Sequence, residues 1–248
     1  MKNKRIWLFY ISFLVIHFSS QAHDQNELIF NDTIVTISDS LKKKNYGLRF
    51  GFDPLKIALS QTDKNYNGFE IAGDLNFFEN LFLAIELGTE DRTKQSEKIN
   101  FTTTGSFIKL GADYNMYENW KGMNNHIYIG IRFANSIHKQ RVNSFYLRNS
   151  DFLWGNELIT SGTGIGLREN LNASWIEIVS GIKVQVLKNI YMGFNVRFNR
   201  LFNDKKPLNF DNLYIPGFNK KTDENIFGAG FNYTISYSIP IKFGKNKY

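Results

Sequence analysis

From about Tyr46 onward, apolar residues fall on every second position in eight separate stretches. The last stretch is the most regular. Phe231, Tyr233, Ile235, Tyr237, Ile239, Ile241 and Phe243 form one face, and Asn232, Thr234, Ser236, Ser238, Pro240 and Lys242 the other. A period of two is the signature of a β-strand with two chemically different faces. This closing strand, Gly228 to Phe243, can run roughly 14 residues, against about 5–6 for strands of soluble domains and about 9–11 for a strand that crosses a bilayer.

The other seven stretches repeat the pattern. Leu48, Phe50 and Phe52 alternate with Arg49, Gly51 and Asp53, and Phe69, Ile71 and Leu75 with Glu70, Ala72 and Asp74. Leu83, Ile85 and Leu87 alternate with Ala84, Glu86 and Gly88, and Ile108, Leu110 and Tyr114 with Lys109, Gly111 and Asp113. Ile127, Ile129, Ile131 and Phe133 enclose Tyr128, Gly130 and Arg132. Ile176, Ile178, Ile182 and Val184 oppose Glu177, Gly181, Lys183 and Gln185, and Met192, Phe194, Val196 and Phe198 oppose Tyr191, Gly193, Asn195 and Arg197. At Pro54 the phase slips, with Leu55, Ile57 and Leu59 becoming the apolar set. That slip reads as a β-bulge in the first strand.

Connections alternate in length. Phe78-Glu79-Asn80 and Lys188-Asn189 are short, and Trp120-Lys121-Gly122 marks a moderate link. Residues 60–67, 89–100, 137–173 and 203–225 read as polar loops. Short turns at one end and long loops at the other are the pattern of bacterial barrels, with both ends of the barrel on the periplasmic side.

Period two does not say which face is inside, because a soluble lipocalin-like barrel alternates too. Three arguments choose the membrane. Eight strands enclose only enough space for side chains to fill, and so many Ile, Leu and Phe residues would overfill it. Four alternating positions span roughly 23 Å at about 3.3 Å per residue, close to the apolar band of about 25 Å of a transmembrane barrel. The polar face also carries Gly47, Gly51, Gly88, Gly111, Gly130, Gly181, Gly193 and Gly230, which suit a crowded interior and would only weaken a solvated face. The expected fold is therefore all-β, a single antiparallel transmembrane β-barrel of about eight strands, with short periplasmic turns and long extracellular loops.

Composition adds location. The first 22 residues carry a charged start (Lys2, Lys4, Arg5), an apolar run from Ile6 to Phe18 and small residues at Ser20 and Ala22. This is the layout of a cleaved secretory signal, too short to anchor a helix in a membrane. Residues 23–44 read as a periplasmic lead, 45–243 as the barrel and 244–248 as a tail. Net charge is +7 over 248 residues, but the cations are spread over strands and loops, so nucleic acid is not an expected partner. Absence of Cys excludes a disulfide framework, a thiolate metal site and a lipidated N-terminal Cys.

With the strands in view, the chain resembles small eight-stranded OmpA/OmpX-type barrels. It is more closely similar to outer-membrane β-barrel families of Bacteroidota whose function is unknown. The resemblance rests on Tyr46-Gly47-Leu48-Arg49-Phe50-Gly51-Phe52-Asp53-Pro54, on Ile190-Tyr191-Met192-Gly193-Phe194-Asn195 and on the closing strand. It implies outer-membrane lipid and the barrel-assembly machinery as partners, the latter reading Tyr237, Ile239, Ile241 and Phe243. The five residues after Phe243 depart from the usual ending at an aromatic, so Tyr248 is a second candidate for that terminal position.

Candidate chemistry lies on the polar face. Arg49, Lys109, Arg132, Lys183, Arg197 and Lys242 face Asp53, Glu70, Asp74, Glu86, Asp113 and Glu177. Charges in a narrow lumen need partners, since an unpaired buried charge is strongly destabilising. The expectation is a structural network of paired charges that plugs the barrel, in a protein with a structural or surface-interaction role. A narrow ion or small-solute channel, a lipid-modifying enzyme of the membrane, and a binding module built on loop 137–173 are the alternatives. That loop offers aromatics at Phe145, Tyr146, Phe152 and Trp154, and a fifth hairpin there would raise the strand count to ten. An enzyme of the rim would need a histidine site. His126 and His138 are expected as solvated rim residues at opposite ends of one strand, too far apart to share a site. Ser161-Gly162-Thr163-Gly164-Ile165-Gly166 follows no strand and opens no helix, so it reads as a flexible loop and not as a phosphate cradle. No cofactor or metal is called for.

Overall fold

The computed structural model describes residues 46–78, 80–119, 124–147, 157–206, 211–221 and 226–241. The chain runs β1 (Tyr46–Phe52), α1 (Pro54–Thr62), β2 (Tyr66–Asn76), β3 (Leu81–Gln95), β4 (Ile99–Asn115), β5 (His126–Leu147), β6 (Glu157–Ile159), β7 (Gly166–Leu187), β8 (Ile190–Asp204), β9 (Tyr214–Ile215), β10 (Asn219–Lys220) and β11 (Phe227–Ile241). Eight of these strands close a ring in the order β1, β2, β3, β4, β5, β7, β8, β11, every neighbour antiparallel. Closure pairs Tyr46 with Ile241 and Phe52 with Ile235. A closed ring leaves no unpaired strand edge through its shared height, which is what lets strands cross a bilayer.

The two surfaces of the wall are inverted relative to a soluble protein. Ile131, Phe133, Phe198 and Phe231 project outward and are 60, 52, 65 and 61% exposed. Arg49, Glu86, Arg132, Glu177 and Arg197 project inward and are buried. A continuous exposed apolar belt has hydrocarbon, not water, as its matching solvent. The chain is thus an all-β transmembrane barrel.

Three expectations are corrected. Pro54 does not make a bulge; it starts a helix. Asp53 caps it, accepting from Leu55 N–H (2.8 Å) and Lys56 N–H (3.3 Å), and Pro54 occupies the first turn, where its missing N–H costs nothing. The period-two pattern of Leu55, Ile57 and Leu59 is a coincidence of three residues on a helix with no buried position.

The second correction is that two loops are largely strand. Residues 89–100 form the tops of β3 and β4, joined through a turn closed by Ser96 N–H to Ile99 O at 2.9 Å. Most of the described part of 137–173 extends β5 and β7, each 22 residues long. At about 3.3 Å per residue these two strands run about 70 Å, so even when tilted they rise well past a belt of about 25 Å. Outward Lys139 and Arg141 on β5 lie beyond its apolar run. β6 adds only a three-residue pairing to the top of β5 (Tyr146 with Leu158) and does not enter the ring. The ring therefore has eight strands.

The third correction concerns 203–225. Residues 203 and 204 complete β8, and residues 211–221 fold inward as the β9–β10 hairpin, with Tyr214, Ile215 and Phe218 all at most 2% exposed. The turn is Ile215-Pro216-Gly217-Phe218, closed by Phe218 N–H to Ile215 O at 3.0 Å, with Gly217 at φ +80°. Proline followed by glycine at positive φ is a type II turn. A Cβ at Gly217 would also strike the Phe107 ring at 2.6 Å, so the position needs glycine twice over.

The candidate functional site, a charged lumen under an inserted hairpin

The inward positions of the wall meet across a narrow space. From the short-turn end upward, nine side chains form an unbroken alternation of charge. Arg49 Nε meets Asp74 Oδ1 at 2.6 Å, and Asp74 Oδ2 meets Lys183 Nζ at 2.7 Å. Lys183 lies 3.8 Å from Asp113 Oδ2, whose Oδ1 is 2.7 Å from Arg132 Nη2. Arg132 Nε reaches Glu86 Oε1 at 3.4 Å, and Glu86 Oε2 meets Arg197 Nη1 at 2.5 Å. Arg197 lies 3.2 Å from Glu177 Oε2, and Glu177 Oε1 is 2.9 Å from Lys109 Nζ. The chain draws on seven of the eight ring strands, every one except β11. Register produces it: Arg49 pairs with Asp74, Glu86 with Lys109 and Arg132 with Glu177 across neighbouring strands.

Glycines make the room. A Cβ at Gly130 would overlap the Asp113 carboxylate, and one at Gly111 would meet Arg132 Cδ at 2.9 Å. A residual void of about 30 Å³ remains among Arg49, Arg132, Lys183, Arg197, Tyr128 and Ser236, room for little more than a water or two.

Above the ionic chain the lumen turns apolar. Phe107, Ala134, Ala173, Trp175 and Leu201 from the wall enclose Ile215 and Phe218 of the hairpin. Trp175 is fully buried, stacks edge-on with Phe218 at 5.6 Å and donates Nε1–H to Glu177 at 2.7 Å, joining the apolar layer to the ionic one. Lys109 makes a second joint by donating to Gly217 O at 3.2 Å.

A separate acidic pair sits beside the hairpin. Lys56, from α1, reaches Glu70 Oε2 at 2.8 Å and Glu90 Oε1 at 2.5 Å. Glu90 Oε2 accepts from Tyr214 Oη (2.8 Å) and Gly217 N–H (3.1 Å), so one carboxylate holds both α1 and the hairpin. Burial acts to lower the Lys56 pKa, but Glu70 and Glu90 outweigh it and hold the ammonium well above lysine's ordinary value. Burial and then Glu90 raise the Tyr214 phenol, keeping it a donor. Burial and then Glu70 raise the Asp53 carboxyl.

Each expected site residue among the described residues has a place. Arg49, Asp74, Glu86, Lys109, Asp113, Arg132, Glu177, Lys183 and Arg197 lie in the chain of nine. Glu70 lies in the upper pair and accepts from Asn232 Nδ2 at 2.8 Å. Asp53 is buried as a helix cap, without an ion pair among the described residues. Tyr237 and Ile239 face outward and are half exposed. Ile241 ends β11. Lys242 and Phe243 lie outside the described residues, as do the signal and lead, Phe152 and Trp154.

His126 and His138 are corrected: both are buried lumen residues, at 6 and 4% exposure. His126 packs edge-on against Phe82 at 4.9 Å, near the short-turn end. His138 lies 3.0 Å from Asn212 Oδ1 of the inserted segment. Inward parity on β5 (126, 128, 130, 132, 134, 136, 138) is the signal in the sequence for both. Sequence reading missed Lys56, Glu90 and Tyr214, which the extended strands and the two insertions deliver to the lumen.

Comparisons with known proteins follow from this geometry. The structure is similar to Ail, the attachment invasion locus protein of Yersinia pestis, at 10% identity and TM-score 0.37, over 79% of this chain and 97% of that one. It is similar to Neisserial surface protein A at 11% identity and TM-score 0.36, over 80 and 96% of the two chains. It is also similar to a major outer membrane protein from Thermus thermophilus at 11% identity and TM-score 0.39, over 79 and 99%. None of the curated proteins compared with the sequence matches it. A family model spans nearly all of it, residues 6–243, and the chain belongs to that family, described as Domain of unknown function (DUF6048).

Proposed function

We propose that this protein is an integral outer-membrane barrel closed to diffusion, with a structural or surface-interaction role. One observation carries the reading: a wall apolar on the outside encloses a lumen filled twice, by nine alternating charges and by an inserted hairpin. A diffusion pore needs a continuous wet path, and the void among Arg49, Arg132, Lys183 and Arg197 in the ionic layer is about 30 Å³. The segment 1–22 delivers the chain across the inner membrane and is cleaved. The assembly machinery takes the barrel by its closing strand, and outer-membrane lipid contacts the belt. The extended tops of β5 and β7 with β6 are the surface offered to an extracellular partner.

Purified protein in planar bilayers tests the closed lumen. Silence is expected, with heat-modifiable migration on gels and recovery in the outer-membrane fraction. Steady ion-selective steps would refute the closed lumen, and recovery as a soluble periplasmic protein would refute the membrane reading.

A further inference from the structure

Below the hairpin, and in α1 beside it, every described Lys or Arg turned into the lumen has a carboxylate within 4 Å: Arg49, Lys56, Lys109, Arg132, Lys183 and Arg197. At the mouth this rule breaks. Inward parity on β3 continues past Glu90 to Arg92 and Lys94, and Lys220 sits opposite Tyr214 in the hairpin. None of these three cations has an ion-pair partner among the described residues. They nonetheless converge. The Arg92 guanidinium stands 5.3 Å from the Tyr66 ring and 5.8 Å from the Tyr214 ring, and Lys94 Nζ is 5.8 Å from the same Tyr214 ring. Lys220, directly opposite Tyr214 in the β9–β10 register, lies on the same face of the hairpin as that ring.

Glu90, the carboxylate bonded to both of these tyrosines, is already engaged. Both oxygens of Glu90 are occupied, Oε1 by Lys56 and Tyr66, Oε2 by Tyr214 and Gly217. Those same bonds lock the two tyrosine rings as a floor, at 5 and 2% exposure. Thr103, across the β3–β4 register from Arg92, is fully buried and its hydroxyl has no partner among the described residues. Like charges held together without a counter-charge repel, and the fold tolerates this where a ligand supplies the missing anion.

We propose that Arg92, Lys94 and Lys220, over the Tyr66–Tyr214 floor, form a binding site for a doubly charged phosphoryl oxyanion. A guanidinium fork and two ammonium groups match a phosphate's oxygens and its charge of about −1.5 to −2. The site lies on the inward side of the wall, toward the long-loop end of β3, and not on the face that meets lipid. It goes beyond the closed-barrel reading and does not depend on it, because binding here requires no passage through the lumen.

The test is calorimetric titration of the full chain in uncharged detergent with sodium phosphate, at ionic strength fixed with sodium chloride. One saturable site is expected. Arg92→Ala/Lys94→Ala should weaken it by at least about tenfold, the scale of one charge-assisted hydrogen bond. Lys220→Ala, on an exposed position that folding does not need, should weaken it by a smaller but measurable factor. Lys64→Ala/Lys98→Ala, which removes two cations from the same end of the barrel, should bind as wild type. Absence of saturable heat overturns the site, as do equal losses in the Lys64/Lys98 variant or unchanged affinity in both Arg92/Lys94 and Lys220 variants. The source of the phosphoryl group is read in nanodiscs of phosphatidylcholine with and without phosphatidic acid. Blocked titration in the acidic discs identifies a lipid headgroup at the site, and retained titration identifies a phosphate from solution.

Discussion

Glu177→Gln isolates the value of one charge in the lumen. Glu177 is fully buried and serves three donors: Lys109 Nζ at 2.9 Å, Trp175 Nε1 at 2.7 Å and Arg197 Nη1 at 3.2 Å. Glutamine keeps the shape and, at the Oε1 position, the oxygen that serves both Trp175 and Lys109, so packing and those two hydrogen bonds survive. The negative charge is lost, and the amide NH2 replaces Oε2, the acceptor of Arg197. Arg197 still has Glu86 at 2.5 Å, whereas Lys109 is left with neutral acceptors only, the amide oxygen and the Gly217 carbonyl at 3.2 Å. Orphaning a buried charge costs about 3–5 kcal/mol. Because one of two cations keeps a carboxylate, the low end applies, about 3 kcal/mol. With a urea slope of about 2 kcal/mol per molar, the midpoint should fall by about 1.5 M.

The companion change is Lys109→Met, which removes the cation and keeps the stem. If the two charges share a dry interior, the double variant should be more stable than the sum of the single losses implies, by about 2 kcal/mol or more. The assay is reversible urea unfolding in micelles, followed by tryptophan fluorescence with Trp120 and Trp154 replaced by Phe, so that Trp175, whose indole bonds the same carboxylate, is the reporter. Additivity to within about 0.5 kcal/mol would refute the reasoning, because it would mean that water already screens Glu177 from Lys109.

Three further outcomes are expected. Ile129→Lys and Ile182→Lys, outward and 45 and 46% exposed, should each cost about 2–4 kcal/mol in lipid if they sit near the bilayer midplane, and inward Gln185→Lys should cost less; folding yields into vesicles check this, and the reverse order would invert the wall. Gly217→Ala should unseat the hairpin, since φ +80° and the Phe107 ring both exclude a Cβ; limited proteolysis should cut 205–226 faster while heat-modifiable migration is retained, and unchanged cleavage would mean the hairpin is not seated as described. Protease added to intact cells should cut within 148–165 and spare Lys188-Asn189, and cleavage only after the outer membrane is opened would reverse the sidedness.

The wall was legible because each outward side chain answers to one solvent. Ile127, Ile129, Ile131 and Phe133 repeat at period two since all four meet the same medium, and the charges between them follow by parity. Strand ends were not legible, because past the belt the outward face meets water and the contrast fades. Thr102 and Thr104 alternate with Thr103 on β4, so hydropathy marks no boundary while the ladder to β5 continues. The two insertions were hidden for a different reason. Asp53-Pro54 is a helix start and Pro216-Gly217 a turn, and both signals stood in the sequence. What no local pattern states is direction. Leu213, Tyr214, Ile215 and Phe218 look like part of a loop until the barrel supplies Trp175, Phe107 and Glu90 as their neighbours. The histidines were misread through the same gap, since a barrel assumed to end near its belt leaves His138 at a rim that the structure places inside.

The two fillings of the lumen are coupled but not redundant. Lifting the hairpin would expose Ile215, Phe218 and the Tyr214 ring, each worth about 1.5–3 kcal/mol of burial, and would break the Glu90 bonds to Tyr214 and Gly217. It would also strip Lys109 of its carbonyl partner. It would not touch Arg132–Asp113 or Arg49–Asp74, whose partners all belong to the wall. Loosening the ionic chain, conversely, leaves the Trp175–Phe218 layer in place above it. A path through the barrel needs both to yield together, and what they share is two joints, Trp175 Nε1–H to Glu177 and Lys109 Nζ to Gly217 O. Glu177 and Lys109 are themselves an ion pair, so the energetic coupling of lid to lumen runs through these two side chains.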